Sequence, residues 1–238
     1  MPHPVCFIGA GPGVADLITV RGLQRLRAAQ VVLADALTDP ALQAEAPQAE
    51  WIDVGKRGFC DSTRQAHINA LLVQHALSGV RVVRLKGGDP SVFGRLEEEV
   101  AALEAQGLSC EVVPGVTAAL AAAAAIQQPL TRRGRGRSVA FTTAVATDEH
   151  GQPLLRDSRS ADTEVFYMAS RQLAALAQRL QQAGWPAATA VAVVSRAGCP
   201  DQLTTHHVLE HMAQAVAPHA GRPTVVIVGV GAETLASP

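Results

Sequence analysis

Two α/β domains are predicted, and three observations predict them. Apolar, β-branched strands alternate with amphipathic segments through the first half of the chain, as parallel strands joined by crossover helices do. Those strands stop on loops rich in Gly, Pro and charge, at 9–13, 35–38, 55–58, 87–90 and 114–118. A Gly/Arg-rich break at 129–137 then separates a second set of strands and helices. The expected domains are 1–133, with a mostly parallel sheet, and 134–238, with strands and helices of its own.

The elements follow in order. Residues 5–8 are a short apolar strand broken by Gly9-Ala-Gly-Pro-Gly13, and Leu17, Leu23 and Leu26 then suggest a helix. A second strand covers 31–34, a short helix 40–46 and a third strand 51–54. Ile68, Leu71, Leu72 and Ala76 mark one face of a helix over 63–78. The run 80–85 reads as a buried strand, and Phe93, Leu96, Val100 and Leu103 place a helix over 93–106, with acidic residues at 97–99. Residues 110–113 form another strand, and 118–126 a helix so small-sided that something must lie close against it. In the second half, strands are expected at 138–143, 164–168, 190–194 and 224–228, and helices at 171–183 and 207–216. The segment 145–162 reads as a polar loop.

Composition excludes several classes. No apolar run is long enough and free enough of breakers to span a bilayer, and Met-Pro-His-Pro enters a strand at once, so neither a membrane span nor a signal peptide is expected. The location expected is cytoplasmic. Cys6, Cys60, Cys110 and Cys199 are scattered and read as thiols in a reducing compartment; no metal site is expected. Net charge is −1, against general nucleic-acid binding.

In an open α/β sheet, ligands bind beyond the carboxyl ends of the strands. Five loops converging there look like a binding site. The stretch 84–90 (RLKGGDP) is its anchor, because glycine lets a ligand touch bare main chain. The spacing of Gly9, Gly11 and Gly13 is G-x-G-P-G rather than the dinucleotide fingerprint, and Pro12 removes an amide a pyrophosphate would want. Asp35 nonetheless sits about where a ribose-binding acid would, so an NAD(P)-dependent oxidoreductase stays as an alternative. Asp35 could also simply cap the next helix. Lys56 and Arg57 face the same crevice unless they are a solvated turn. The arginines at 132–137 are either a flexible linker or a clamp for a polyanion.

In this order and spacing, 5–13 (VCFIGAGPG), 31–37 (VVLADAL), 54–57 (VGKR) with Gln65 and Ile68-Asn69, 82–95 (VVRLKGGDPSVFGR), 112–118 (VVPGVTA), 129–132 (PLTR) and 165–168 (VFYM) resemble the tetrapyrrole methylase family. The VGKR turn resembles its uroporphyrinogen branch. The resemblance runs through nearly the whole chain. It implies two α/β domains, the first with a mostly parallel sheet and the second with a mixed one, with the active site in the cleft between them, S-adenosylmethionine as cofactor with S-adenosylhomocysteine as product, and a homodimer. It implies methylation of uroporphyrinogen III at C2 and then C7 to give precorrin-2, for siroheme, cobalamin or heme d1, with oxidation and metallation left to another protein. By position, Pro12, Gly87, Gly88, Asp89, Val92, Thr117, Ala118, Met168 and Ala197 would contact the cofactor. Asp35 would accept a proton, and Lys56 would donate one or bind a carboxylate. Arg57, Arg84, Arg132 and Arg133 would meet the carboxylates of the substrate.

The chain departs from the family pattern at several places. Tyr-Asp-Arg-Leu is here Ala34-Asp35-Ala36-Leu37, so the acid is kept and its neighbouring arginine is lost. Gly-Gly after FGR is Leu96-Glu97, the His after VGKR is replaced near Asp61, Thr-His-Arg is Thr131-Arg132-Arg133, and a glycine is Ala197. These changes cluster around substrate recognition, which keeps open a methylase of another precorrin or a tetrapyrrole-binding protein without turnover.

Overall fold

The computed structural model of the chain describes residues 3–55, 61–144 and 158–235. Its contacts divide it into two compact units, Met1–Thr117 and Ala118–Pro238.

The first unit is built from β1 (Val5–Gly9), α1 (Val20–Arg27), β2 (Val31–Ala34), β3 (Glu50–Asp53), α2 (Asp61–Leu77), β4 (Val82–Lys86), α3 (Leu96–Glu104) and β5 (Cys110–Val113). Its sheet runs β3-β2-β4-β1-β5 and every pairing is parallel. Strand side chains alternate between faces. Phe7, Leu33 and Val82 therefore meet Ile68 and Leu72 of α2 and Leu103 of α3, while Ile8, Val32, Val83 and Leu85 meet Leu26 of α1 on the other face. The Thr19 hydroxyl caps α1 by accepting the Gly22 amide at 3.1 Å. The chain leaves β1 for one face and β4 for the other. Their adjacent carboxyl ends are thus the switch point of this sheet, where a crevice is expected.

The second unit contains α4 (Ala118–Ala125), β6 (Val139–Thr143), β7 (Thr163–Tyr167), α5 (Leu173–Gln182), β8 (Ala190–Ser195), β9 (Leu203–Val208), α6 (Val216–His219) and β10 (Thr224–Gly229). Its sheet runs β6-β7-β10-β8-β9 and is mixed: β6 and β7 are parallel and the other pairs antiparallel. Phe166, Val193 and Val226 pack with Leu173, Leu176, Trp185, Leu209 and Met212 in its core.

Three expectations are corrected. The helix expected over 93–106 begins only at Leu96, because Phe93 and Arg95 take left-handed backbone (φ 53° and 52°) and turn the chain first. The helix expected over 207–216 is replaced by β9, followed by a 3-10 segment over Leu209–Ala215 and the short α6. Thr204 to Val208 pair with β8 as an edge strand, and one exposed side lets that strand carry hydroxyls and imidazoles. The break expected at 133–134 lies inside the second unit. Helix α4 packs there on β10, and its Ala119 amide donates to the Tyr167 hydroxyl at 3.3 Å. Among the described residues no helix is long and apolar enough to cross a membrane.

Candidate active site

At the switch point of the first sheet the loops after β1 and β4 are tied backbone to backbone. Gly11 donates to the Gly88 carbonyl at 3.2 Å, Gly88 returns a bond to Gly11 at 2.9 Å, and Ala10 donates to Lys86 at 2.8 Å. The loop after β5 closes on them. A Cβ built on Gly115 would stand 2.3 Å from the Gly88 carbonyl oxygen and 2.7 Å from the Gly9 Cα, so only glycine fits. Asp89 bolts the loops together: one carboxylate oxygen accepts the Ser91 amide at 2.8 Å and the other the Gly115 amide at 2.9 Å. Pro12 and Thr117 are buried in this region; Gly87, Gly88, Asp89 and Val92 are half-buried. Among the described residues no carbonyl pairs with the Gly87 amide. Its neighbour across the ladder, the Asp35 carbonyl, accepts the Thr38 amide and hydroxyl instead. An N–H donor thus stands free at a strand end whose surroundings are small.

Asp35 follows β2 directly. Register pairs Leu33 with Arg84, and alternation puts Leu33, Asp35, Arg84 and Lys86 on one face, the face covered by α2 and α3. Arg84 is 2% exposed. Its Nη2 donates to Asp35 Oδ1 at 2.5 Å, its Nη1 to the Leu33 and Leu85 carbonyls at 3.2 Å each, and its Nε to Glu99 Oε1 at 3.1 Å. Glu99 is wholly buried and also accepts from Lys86 Nζ at 2.8 Å and Gln65 Nε2 at 3.3 Å. Gln65 reaches Asn69 Oδ1 at 2.9 Å. Burial pushes the Lys86 ammonium below the usual lysine range, and the charge of Arg84 adds to this against the pull of Glu99.

Arg84 was expected to meet a substrate carboxylate. It is buried instead, and it supplies Asp35 with the cationic partner that the adjoining sequence position lacks. Arg132 is committed too: its guanidinium donates to Gln128 Oε1 at 3.0 Å and to the Glu233 carbonyl, with the Glu233 carboxylate 3.7 Å away. Those bonds accompany a turn in which Arg132 and Gly136 exchange backbone bonds, and they turn Nη2 toward the protein's own acceptors. Arg133 is exposed. Lys56 and Arg57 lie outside the described residues, as does most of the polar loop expected over 145–162.

In the second unit, β7 and β8 both run antiparallel to β10, so their carboxyl ends share one edge of the sheet. Met168 follows β7 there in left-handed backbone (φ 55°), half-exposed, and Ala197 follows β8, buried. Tyr167 links the start of α4, and hence Ala118, to the same edge. Near it runs a partly buried polar chain. Ser195 Oγ meets His219 Nδ1 at 2.5 Å and Thr224 Oγ1 at 2.9 Å, and Thr205 Oγ1 lies 2.9 Å from His219 Nε2 and 2.8 Å from His207 Nε2. Burial pushes His219 below the usual imidazole range, with His207 and Arg222 adding to the effect.

Glu99, Lys86 and this hydroxyl–imidazole chain were not singled out from sequence. Glu99 left a trace, because it lies three residues after Leu96 and four before Leu103, on the apolar face of α3. The chain Ser195–His219–Thr205 left none, being assembled from three separate segments.

The model for the tetrapyrrole (corrin/porphyrin) methylases matches residues 4–213. The chain belongs to this family. It is 44% identical over 230 residues to a siroheme synthase of Neisseria meningitidis serogroup C, a match covering 94% of this chain and 47% of that protein. A siroheme synthase of Actinobacillus succinogenes is 42% identical over 230 residues, covering 94% of this chain and 48% of that one. The chain thus spans about half the length of these relatives. Among solved structures, the uroporphyrin-III C-methyltransferase of Thermus thermophilus complexed with S-adenyl homocysteine is 37% identical, with a TM-score of 0.83 over 96% of this chain and 98% of that one. A cobalt precorrin-4 methyltransferase is 27% identical, with a TM-score of 0.85 over 98% and 99%. This tetrapyrrole methylase also departs from a dinucleotide-binding loop in its build. Its glycine loop does not open onto a helix, since α1 starts only at Val20 after a 3-10 turn at Ala15–Leu17.

Proposed function

We propose that this chain is an S-adenosylmethionine-dependent C-methyltransferase that methylates uroporphyrinogen III at C2 and C7 to give precorrin-2. The observation that carries the reading is Asp35, held by a buried arginine at the strand end next to the glycine-tied loops, in a chain whose Thermus relative is complexed with S-adenyl homocysteine.

The strand-end residues fit such a cofactor. A ligand with an adenine, a ribose and an amino-acid group needs backbone donors and little side-chain bulk. Gly87 offers a free amide among the described residues, and Gly88, Val92, Thr117 and Pro12 line the same loops. Met168, Ala197 and Ala118 are the further residues proposed to contact the cofactor. When bound, the cofactor supplies an electrophilic methyl group on a sulfonium. The loops would hold it, and positioning accounts for most of the rate in an in-line displacement. After the substituted pyrrole carbon has gained its methyl it is quaternary, and the macrocycle regains neutrality by losing a proton from another position; Asp35 Oδ2, the oxygen not engaged by Arg84, is the proposed acceptor of that proton. A carboxylate already paired to a buried guanidinium is held in one orientation for that transfer. Lys56 is the proposed donor or carboxylate partner, with Arg57 and the exposed Arg133 as further contacts. The resemblance also favours a homodimer, which light scattering of the purified chain would test.

The deciding experiment is an anaerobic assay with S-adenosylmethionine and uroporphyrinogen III generated in place. Two methyl groups should be gained by mass. Asp35→Ala should lower the rate about 100-fold or more, the range for a lost acid–base group, while cofactor affinity stays within twofold. Methylation of a different precorrin alone would keep the family chemistry and overturn the substrate.

A further inference from the structure

We infer that Glu99 is a positioning residue for the reaction, fixing the Asp35 carboxylate through Arg84. The inference rests on the function proposed above and extends it to a residue that touches no ligand. Its ground is the order of contacts. Asp35 is still partly open to solvent, with a side chain 31% exposed, so its immediate surroundings do not fix its rotamer. Arg84 does. The Arg84 guanidinium is long-stemmed and is fixed in turn only by what receives its donors. Two of those acceptors are the carbonyls of Leu33 and Leu85, which belong to the sheet. The third is Glu99, which arrives from α3 and sets the fork from its Nε side.

The expense of Glu99 points the same way. A carboxylate with no exposed surface is costly to bury, and an apolar residue of similar size usually serves stability as well or better. Glu99 lies on the apolar face of α3, close to Leu103 in the core. It accepts from three side chains at once, Arg84, Lys86 and Gln65. The four charges, Asp35, Arg84, Glu99 and Lys86, alternate in sign along the chain of contacts and cancel. Such a set gives Asp35 one arrangement instead of several.

The test uses the full chain and the double variant Glu99→Leu with Lys86→Met. This removes one acid and one base together, leaves Arg84 paired with Asp35 and avoids a lone buried charge, so the variant folds. The expected result is a kcat about 10- to 100-fold lower, the scale of a small misplacement of a reacting group. KM for the tetrapyrrole and the calorimetric Kd for S-adenosylmethionine should remain within twofold. A wild-type kcat in the double variant overturns the inference, and so does a loss of cofactor affinity or melting temperature large enough to account for the rate. A second readout needs neither cofactor nor activity. In a proton–nitrogen spectrum of the arginine side chains, the Arg84 Nε–H signal should move both in the double variant and in Asp35→Asn. If Asp35→Asn leaves that signal in place, the linkage is wrong whatever the kinetics show. If the wild-type chain transfers no methyl group while the signal still responds, the proposed function falls and the linkage stands.

Discussion

Gly115 owes its identity to backbone on two sides. A methyl group there would stand 2.3 Å from one carbonyl oxygen and 2.7 Å from a neighbouring Cα, and neither is the end of a flexible side chain. Gly115→Ala should therefore force the β1, β4 and β5 loops apart, at a cost of about 2–3 kcal/mol as for overpacking elsewhere. Gly107 is the control. It is left-handed (φ 68°) but has nothing within 4 Å of a built Cβ, so Gly107→Ala should cost only the backbone strain, about 1–2 kcal/mol. Urea unfolding of both variants measures the difference. Only Gly115→Ala should also weaken S-adenosylmethionine binding, by tenfold or more on the scale of about 1.4 kcal/mol per decade. Equal behaviour of the two variants would mean that the three loops are not held as tightly as their geometry states.

Among the elements, β9 and the segment after it show where a sequence reading stops. Strands β1 and β10 are buried along their whole length and read as continuous apolar runs, which is why they were legible. Strand β9 is an edge with half-buried Thr204, Thr205 and His207, so its periodicity was too weak to compete with a helix. What it carries is chemically consequential. Thr205 and His207 join Ser195, Thr224 and the wholly buried His219 in one hydrogen-bonded chain. The folded pKa of His219 lies below its ordinary value of 6.5, so the folded state favours the neutral ring. The resulting stability is fully present above pH 6.5 and is lost as pH falls from there through the depressed folded value. His207, also lowered mainly by burial, acts with the same sign. Urea melts at pH 7.5 and pH 5.0 should show the loss, and His219→Gln should remove a good part of the difference. An unchanged difference in the variant would place the acid sensitivity elsewhere.

At the scale of the whole molecule, what could be read from sequence was whatever lies close along the chain, and what could not was whatever the fold brings together. The glycine loops and Asp35 stand in short motifs. The meaning of Arg84 depended on which face of β4 it occupies and on α3 crossing that face, and Arg132 depended on the far end of the chain at Glu233. The two units each bury their own sheet, so the cofactor's contribution to stability is open to direct measurement. A ligand that binds the folded chain alone stabilises it by about 2.7 kcal/mol at a concentration 100 times its Kd. For a chain of 238 residues that corresponds to a melting temperature higher by roughly 5–10 °C. S-adenosylmethionine and S-adenosylhomocysteine should both produce this rise, because on the proposed reading the loops at Gly11 and Gly88 would hold what the two share, and NADP should not. Gly88→Ala should abolish the rise at the same ligand concentration, since Gly88 is left-handed (φ 72°) and exchanges two backbone bonds with Gly11. Asp35→Ala should keep the rise in full, because the role proposed for its carboxylate is toward the proton and not the cofactor. A variant at Asp35 that lost both rate and thermal shift would assign that carboxylate to binding and leave the proton without an acceptor.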